Sequence, residues 1–451
     1  MTAGDARRLA VKSLIRINRE GGYSNIVLDN VLSDNNHMSS LAPAERALLS
    51  RLVYGVTERL ITLDYVIEKH SSIKLKKIHP VVLELLRLGC YQLLYMDKIP
   101  PRAAVNETVR VARELKQERA TGFINAVLRT IQREKSSVFD DLHDDERGIA
   151  IRTSCPVELI EFWRKSYDSD MAVRLAQSIN DVPPLTVRVN TLKTTCKDFE
   201  DALESLSIEY SRHPFLPGCY DILDATELKR LDKKSENCYY HQDAASQICL
   251  MALGPMPGER LADVCAAPGG KSLTAAMMME NEGEISAFDI YPNKCDALRR
   301  RASKMGVEII RVAVRDGATK CPKEYLNKFD RVLCDVPCSG LGVIRRKPEI
   351  KYKPIGSFAG LPGLQYDILH QSSMMVRPGG VLQYSTCTLN PLENQQIASR
   401  FLAEHKEFSP RILPLKECFD ALGQQPSYHI TLFPPIHRTD GFFIAGFKKS
   451  R

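Results

Sequence analysis

Apolar residues recur every three to four positions through the first third of the chain, which is the spacing of one buried helix face. Five stretches share this pattern, and Pro80 opens one of them at a position that proline favours in a first helical turn. We predict helices over residues 6–17, 44–70, 80–95, 102–116 and 122–134. Residues 1–140 therefore form an all-α domain, and a polar, acidic stretch at residues 136–147 forms a linker.

The middle of the chain combines helical spacing with a strand-like segment. Helical spacing covers residues 156–166 and 199–206, and a run rich in β-branched residues covers 185–190. This pattern predicts a small α+β module over residues 150–240. The pattern alone does not indicate the function of this module.

From residue 241 to residue 451 short apolar strands alternate with helices, the order typical of an α/β domain with a parallel, doubly wound sheet. The predicted strands are residues 260–265, 284–290, 308–314, 330–333 and 379–385. A chain of 451 residues is too long for one ordinary core, in keeping with a multidomain protein.

The net charge of +7 is concentrated at one end of the chain. Residues 1–135 contain 22 lysines and arginines against 14 aspartates and glutamates, whereas the remainder contains 40 against 41. This basic excess fits a polyanionic partner of the helical domain, and it fits a solvated basic helix face equally well.

Thirteen cysteines without a repeating frame indicate reduced thiols, and we expect a cytoplasmic protein. No apolar run approaches the roughly 20 residues that span a bilayer, and the first eight residues lack the apolar core of a secretory signal.

Candidate chemistry begins after the fourth predicted strand, where Pro337 and Gly340 break the chain. Asp335 and Cys338 are left at the carboxyl end of that strand, the edge at which open α/β sheets bind ligands. By itself this suggests that Cys338 is a nucleophile with Asp335 as its polar partner. The alternative is a cysteine acting as a small apolar side chain.

A glycine loop and three strand-end carboxylates indicate a cofactor with an adenosine group. Gly269 and Gly270 follow the first strand and allow close approach of a ligand to the backbone. Asp289, Asp316 and Asp335 end the second, third and fourth strands. A carboxylate 19 residues beyond the second glycine is placed to bind a ribose diol.

A second thiol, Cys387, follows the fifth strand, so both thiols should face one cleft. Zinc is the competing explanation, but Cys334 and Cys338 lack the paired spacing of zinc ligands, and we expect no metal. Thiols beside an aspartate and an adenosine cofactor suggest addition to C6 of a cytosine and methylation at C5. Asp335 would hold the ring at N3 or its amino edge.

Five motifs in the last half of the chain resemble the Nol1/Nop2/Sun family of RNA cytosine-5 methyltransferases. They are Cys-Ala-Ala-Pro-Gly-Gly-Lys at 265–271, Asp-Val-Pro-Cys-Ser-Gly at 335–340, Ser-Thr-Cys-Thr at 385–388, His-Gln-Asp-Ala-Ala-Ser at 241–246 and Asp-Gly-Phe-Phe at 440–443. The segments at 100–107 and 122–129 resemble the NusB-like RNA-binding helical domain, and residues 189–193 resemble the family's RNA-binding module. The resemblance implies a Rossmann-like class I methyltransferase domain after a NusB-like domain.

The resemblance also implies roles for single residues. In this family the Thr-Cys thiol, Cys387, is the nucleophile, and the Pro-Cys thiol, Cys338, helps to resolve the covalent adduct, so the first interpretation of Cys338 is revised. The implied substrate is a cytosine of 16S ribosomal RNA, and we expect a monomer. The residues implied to contact S-adenosylmethionine are Cys265, Ala266, Ala267, Pro268, Gly269, Gly270, Lys271, Asp289, Asp316 and Asp335.

Two features beside these motifs remain open. The basic run at residues 345–347 could hold phosphates around a displaced base, or it could be a solvated loop. The family often continues Glu-Asn-Glu after its nucleophile, whereas this chain has Gln395 after Glu393 and Asn394, and we expect no loss of activity from that departure.

Three other functions remain possible from the sequence. The chain could be a non-catalytic RNA-binding or antitermination-type factor, a methyltransferase for another RNA, or a methyltransferase for a protein or small molecule. The intact glycine loop, aspartates and thiols argue against the first of these.

Overall fold

The computed structural model describes residues 4–33, 41–224, 228, 230–231 and 236–451. The chain divides into two compact units. Unit 1 is Met1–Asp181 with Ile344–Ile355, and unit 2 is Val182–Val343 with Gly356–Arg451.

Unit 1 is helical throughout the part that is described. Its helices are α1 Gly4–Glu20, α2 Ser24–Ser33, α3 Pro43–Glu58, α4 Leu60–His70, α5 Pro80–Tyr95, α6 Pro101–Glu114, α7 Thr121–Arg133, α8 Glu146–Thr153, α9 Val157–Ser166 and α10 Ser169–Ser178, with 3₁₀ turns at Leu75–Lys77, Glu118–Ala120 and Lys135–Ser137. The predicted all-α fold is confirmed, and the bounds predicted for α5 match. The sequence pattern missed α2, α8 and α10.

The helix predicted over residues 44–70 is wrong as a single element. Arg59 has φ −108° and ψ 19°, which ends α3 and begins α4. The apolar spacing runs on across this break because both helices bury their apolar faces in the same core. Periodicity alone therefore could not reveal it.

Helix α5 is the centre of this core, and twelve of its successive residues, from Val82 to Leu93, are buried. Two of them are charged. Arg87 donates to Asp64 at 2.7 Å and to Glu84 at 2.6 Å, so the buried cation is neutralised by partners on two helices.

The segment that follows the basic run is also packed inside unit 1. It forms the 3₁₀ helix Pro348–Tyr352. Glu349 accepts hydrogen bonds from the backbone nitrogen and the hydroxyl of Ser24, at 3.2 and 2.7 Å. Tyr352 donates to the carbonyl of Thr57 at 2.9 Å. This segment is therefore part of a folded core and not a solvated loop.

Unit 2 begins with a small antiparallel sheet. Its strands are β1 Leu185–Val189, β2 Tyr210–Arg212, β3 Cys219–Ile222 and β4 Tyr239–His241, in the order β2-β3-β1-β4, with helix α11 Cys196–Ser205. Thr195 caps α11 by accepting from the backbone nitrogen of Asp198. The predicted 150–240 module is divided between the units, since α8, α9 and α10 lie in unit 1.

The larger sheet of unit 2 has eight strands, β5 Arg260–Asp263, β6 Glu284–Asp289, β7 Ile310–Val314, β8 Phe329–Asp335, β9 Val376–Thr386, β10 Phe408–Pro410, β11 His429–Leu432 and β12 Phe442–Lys449. Their order is β10-β12-β9-β8-β5-β6-β7, with β11 paired to β12. The helices are α12 Ala244–Leu253, α13 Gly270–Met278, α14 Pro292–Met305, α15 Leu361–Ser373, α16 Gln395–Glu404, α17 Lys416–Ala421 and α18 Pro434–His437, with 3₁₀ turns at Lys323–Tyr325 and Ile355–Phe358.

Strands β5 to β9 pair in parallel, which confirms the predicted α/β sheet. Three further strands, β10, β11 and β12, extend it with antiparallel pairing. The pattern analysis missed these, because β12 is a continuous apolar run whose period does not distinguish a strand from a buried helix.

The parallel pairing of β5 to β9 places five carboxyl strand ends at one edge of the sheet. The predicted glycine loop, Asp316, Cys338 and Cys387 follow these strands, and Asp289 and Asp335 are the last residues of β6 and β8. None of the helices in the described residues is long and apolar enough to span a bilayer.

Candidate active site

The end of β8 lies beside the end of β9. Asp335 is paired in register with Ser385, whose hydroxyl donates to Oδ1 of Asp335 at 2.9 Å. Lys271, in the first turn of α13, donates from Nζ to Oδ2 of the same carboxylate at 2.7 Å. Both carboxylate oxygens are therefore fixed, and each retains a lone pair for a further donor.

The two thiols meet just beyond these strand ends. Cys387 directly follows the last residue of β9, and Cys338 lies three residues after β8. Their Sγ atoms are 3.3 Å apart and share a hydrogen bond. This bond and burial raise the pKa of the Cys338 thiol well above its ordinary range. Two thiols at this distance do not both ionise readily, so the pair carries at most one negative charge.

A glycine crossing holds the loop after Cys338 against Cys387. Gly342 donates from its backbone nitrogen to the carbonyl of Cys387 at 3.0 Å, and it accepts from the nitrogen of Gly441 at 2.8 Å. A Cβ at Gly342 would lie 1.9 Å from the Gly441 oxygen. The close backbone approach requires glycine, and it brings the late Asp-Gly-Phe-Phe motif to the thiols.

Lys271 is buried beside the strand ends. Burial disfavours its charged form, but the attraction and the hydrogen bond of Asp335, together with the nearby Cys249 and Cys387, outweigh burial and raise the pKa of the ammonium group. The Nζ atom also lies 5.1 Å from the ring centre of Phe442. Sequence analysis placed Lys271 only among the cofactor contacts, whereas its hydrogen bond joins it to Asp335.

The glycine loop connects β5 to α13. Gly269 has a φ of +100°, which favours glycine, and its nitrogen donates to the carbonyl of Ala266 at 2.7 Å. Asp289, at the end of β6, accepts from the backbone nitrogen of Ala267 at 3.2 Å. The Asp289 carboxylate and the glycine loop, both predicted as cofactor contacts, are therefore joined by a hydrogen bond.

The remaining predicted residues surround this loop. Asp316 lies two residues beyond β7 and accepts from the backbone nitrogen of Ala318 at 2.9 Å. Cys265 begins the loop, and burial raises the pKa of its thiol. The strand order β8-β5-β6-β7 places Asp335, Asp289 and Asp316 along one sheet edge.

Sequence reasoning missed two residues at this edge. Asp263 ends β5, accepts from the hydroxyl of Ser272 at 2.6 Å, and leaves Oδ1 without a hydrogen-bond partner in the described structure. Burial raises its pKa to about 7. The strand-end rule that selected the other aspartates would have found it. In the sequence, Ser385 stood out only as the first residue of the Ser-Thr-Cys-Thr motif. Its hydrogen bond to Asp335 becomes apparent only from the pairing of β8 with β9.

Across the residues that the structure describes, no group of three or more His, Cys, Asp or Glu side chains is arranged to hold a metal ion. None of the thirteen cysteines, all of which lie in the described residues, forms a disulfide.

Comparison with known proteins gives family matches for each part of the chain. Residues 250–448 match the family described as 16S rRNA methyltransferase RsmB/F, residues 4–133 match the NusB family, and residues 155–228 match the ferredoxin-like domain of RsmF/B-like methyltransferases.

Similar proteins extend these matches over the whole chain. A probable ribosomal RNA small subunit methyltransferase B of Bacillus subtilis is 35% identical, with 100% of each chain covered. The ribosomal RNA small subunit methyltransferase B of Klebsiella pneumoniae is 30% identical, with 99% of this chain and 98% of that chain covered. The crystal structure of PH0851 has the same fold, with a TM-score of 0.81, 24% identity and coverage of 100% and 99%.

The fold and the matches define a Rossmann-like methyltransferase domain preceded by a NusB domain and a ferredoxin-like module. This class was predicted from the sequence motifs and is confirmed. The chain belongs to the RsmB/F family of 16S rRNA methyltransferases.

Proposed function

We propose that this protein transfers a methyl group from S-adenosylmethionine to C5 of a cytosine in 16S ribosomal RNA, through a covalent bond between Cys387 and C6 of the base. The observation that carries the proposal is the thiol pair, 3.3 Å apart, beside the carboxylate of Asp335. The names of the relatives, which specify small-subunit ribosomal RNA, support the substrate.

Cys387 would act as the nucleophile. Its thiolate forms a bond to C6, and the electron pair of the C5–C6 double bond becomes available at C5 for methylation. The hydrogen bond to Cys338 stabilises a thiolate, because the neighbouring S–H donates to it.

Asp335 would orient the base. Its carboxylate would accept from the amino group of the cytosine or from a protonated N3, and protonation there makes C6 more electrophilic. Ser385 donates to one carboxylate oxygen and Lys271 donates to the other, so the carboxylate of Asp335 is oriented before the base binds.

The loop and strand ends fit the proposed cofactor, which supplies the methyl group when bound. Asp289 and Asp316 would bind the ribose and the adenine amine. Ile290 and Tyr291, which follow Asp289, are 50% and 53% exposed and offer apolar surface for an adenine ring. The unpartnered Oδ1 of Asp263 is a further polar atom at this edge.

Cys338 would act after methylation. Removal of the C5 proton restores the double bond and breaks the bond from Cys387 to C6. Cys338, whose Sγ lies 3.3 Å from that of Cys387, is close enough to assist this step.

Exchange of each thiol for alanine tests the assignment. We expect Cys387→Ala to abolish methyl transfer, because no bond to C6 forms. Cys338→Ala should let a covalent protein–RNA adduct accumulate on denaturing gels. Turnover by the Cys387 variant together with loss of turnover in the Cys338 variant would reverse the two roles.

Bisulfite sequencing of ribosomal RNA from cells lacking the protein tests the substrate. One newly unmodified cytosine in 16S rRNA is expected, and an unchanged pattern would contradict the ribosomal assignment.

Calorimetry with S-adenosylmethionine tests the cofactor, since absence of binding would favour a non-catalytic RNA-binding factor. We also propose that the protein is a cytoplasmic monomer, as thirteen cysteines without a disulfide suit a reducing compartment.

A further inference from the structure

A turn, which follows Cys387 and comprises residues 390–394, contacts both thiol loops. Glu393 and Asn394 lie side by side in it, and both are 0% exposed. Their hydrogen bonds go to the neighbours of Cys338 and Cys387.

Glu393 binds the loop that carries Cys338. Its two carboxylate oxygens accept from the backbone nitrogen of Ser339 at 2.9 Å and from the Ser339 hydroxyl. Gln365 of α15 donates to the same carboxylate at 2.8 Å and to the carbonyl of Pro337 at 3.0 Å. The residues on both sides of Cys338 are therefore fixed through this one carboxylate and its amide partner.

Asn394 binds the loop that carries Cys387. Its Oδ1 accepts from the hydroxyl of Thr386 at 2.6 Å, and its Nδ2 donates to the carbonyl of Thr388 at 2.9 Å. These two threonines flank Cys387 directly. The asparagine amide thus uses one donor and one acceptor to hold the backbone on both sides of the thiol.

The turn itself is attached to the sheet. The hydroxyl of Tyr384, within β9, donates to the carbonyl of Glu393 at 2.6 Å. Asn390 donates to the Glu393 carboxylate at 2.8 Å, and the nitrogen of Glu393 donates to the carbonyl of Asn390 at 3.0 Å. Because the turn is held in this way, a displacement of the Glu393 or Asn394 side chain would move a thiol loop and not the turn.

We propose that Glu393 and Asn394 are positioning residues that set the separation of Cys338 and Cys387, Glu393 through the Cys338 loop and Asn394 through the Cys387 loop. The proposal rests on the proposed function for its catalytic consequence. The positioning itself is a property of the resting protein and is measurable without substrate.

The first experiment measures thiol proximity in the full chain. Glutathione disulfide takes up two electrons and two protons, so that Cys338 and Cys387 form a disulfide and two molecules of glutathione are released. We expect Glu393→Gln and Asn394→Asp each to lower this equilibrium constant about tenfold, because small misplacements strongly reduce effective concentration. Peptide mass spectrometry reports the fraction oxidised, and circular dichroism reports folding.

The second experiment separates the two residues by the direction of their effects on the protein–RNA adduct. Glu393→Gln disturbs the Cys338 loop and should raise the steady-state adduct severalfold, as expected when release is slowed. Asn394→Asp disturbs the Cys387 loop and should lower the adduct by about tenfold. A general loss of stability would lower the adduct in both variants.

Gln395→Glu is the matched control. Gln395 is the next residue, and its side chain donates to Thr431 at 3.1 Å, not to a thiol loop. This variant should keep the disulfide equilibrium and the adduct level of the parent protein. Should an isosteric variant fail to fold, Ser339→Ala removes the hydroxyl bond to Glu393, and Thr386→Val removes the hydroxyl bond to Asn394.

The outcomes distinguish this proposal from the proposed function. An unchanged disulfide equilibrium in both variants overturns the positioning role, whatever the activity. If the parent protein transfers no methyl group but both variants shift the equilibrium, positioning stands and the proposed reaction fails. A fall in adduct for both variants overturns the division of roles between Glu393 and Asn394.

Discussion

At the scale of single residues, the candidate site is arranged around the carboxylate of Asp335. One oxygen accepts from an ammonium group and the other from a hydroxyl, Lys271 and Ser385 respectively. Hydrogen bonds to a charged group are the stronger ones in proteins, so each contributes to the orientation of the carboxylate. The identity of Asp335 followed from the sequence, but its partners did not, because they come from two other segments of the chain.

Removal of the Ser385 hydroxyl tests this orientation. We expect Ser385→Ala to lower kcat about tenfold and to leave cofactor affinity unchanged, since a hydrogen bond to a charged group contributes about 1.5–3 kcal/mol. Steady-state kinetics and calorimetry measure the two effects. Ser373→Ala is the control, because Ser373 is equally buried and donates only to the carbonyl of His370 within its own helical turn. A fall in cofactor affinity with unchanged kcat would contradict the assigned role.

At the scale of elements, strand register and one backbone crossing bring the two thiols together. Parallel pairing aligns the ends of β8 and β9, so the segments that follow them leave the sheet at the same place. Gly342 and Gly441 then cross in close contact next to Cys387. The glycines permit an approach that any side chain would prevent.

Gly342→Ala should disrupt this crossing. The new Cβ would clash with backbone atoms of Gly441 and Cys387, so we expect destabilisation of about 2 kcal/mol or more and a loss of methyl transfer. Urea unfolding and an activity assay measure both. Gly363→Ala is the matched control, because a Cβ at Gly363 in α15 meets nothing within 4 Å and alanine favours a helix. Activity retained by Gly342→Ala would argue against the crossing as a determinant of the site.

At the scale of the whole molecule, unit 1 is discontinuous in sequence. The chain leaves it at residue 181, runs through residues 182–343 of unit 2, and then contributes residues 344–355 to unit 1. Residues 344–355 supply Lys351, whose ammonium donates to the carbonyl of Glu58 at 2.8 Å and to Asn180 at 3.2 Å. Three distant parts of the sequence thus meet at one buried lysine. Burial lowers its pKa to about 7, so the charged form is costly in the folded protein.

This lysine should give unit 1 a pH-dependent stability. Its pKa lies below the ordinary value of 10.5, so between about pH 7 and 10.5 the unfolded state binds more protons than the folded state. Stability therefore rises with pH through this window, by at most about 1.4 kcal/mol per pH unit. We expect Lys351→Met to remove this rise in urea unfolding at pH 7, 8 and 9.

Lys353→Met is the control for this experiment. Lys353 is two residues away, and its ammonium donates at the surface to the hydroxyl of Tyr23. Its loss should leave the slope of stability against pH unchanged. An equal slope in the parent protein and in the Lys351 variant would show that Lys351 is not the group responsible.

The extent to which the fold was predictable differs between its parts. Long amphipathic helices were predicted within a few residues because the helical period marks them, and the parallel strands because short apolar runs alternate with helices. The break at Arg59 was not predictable, as helices on both sides face one core. The roles of the thiols, the cofactor contacts and the domain bounds stay predictions.

The sequence by itself determined the identity of the chemical groups, because nucleophiles, carboxylates and glycine loops are residue types at recognisable positions after strands. Tertiary structure alone decided the distances among them. The 3.3 Å separation of Cys338 and Cys387 depends on strand register, on the Gly342 crossing and on the turn at Glu393 and Asn394. Apart from the local bonds of Asn394, these contacts join segments far apart in the chain, and such contacts leave no periodic signal in a single sequence.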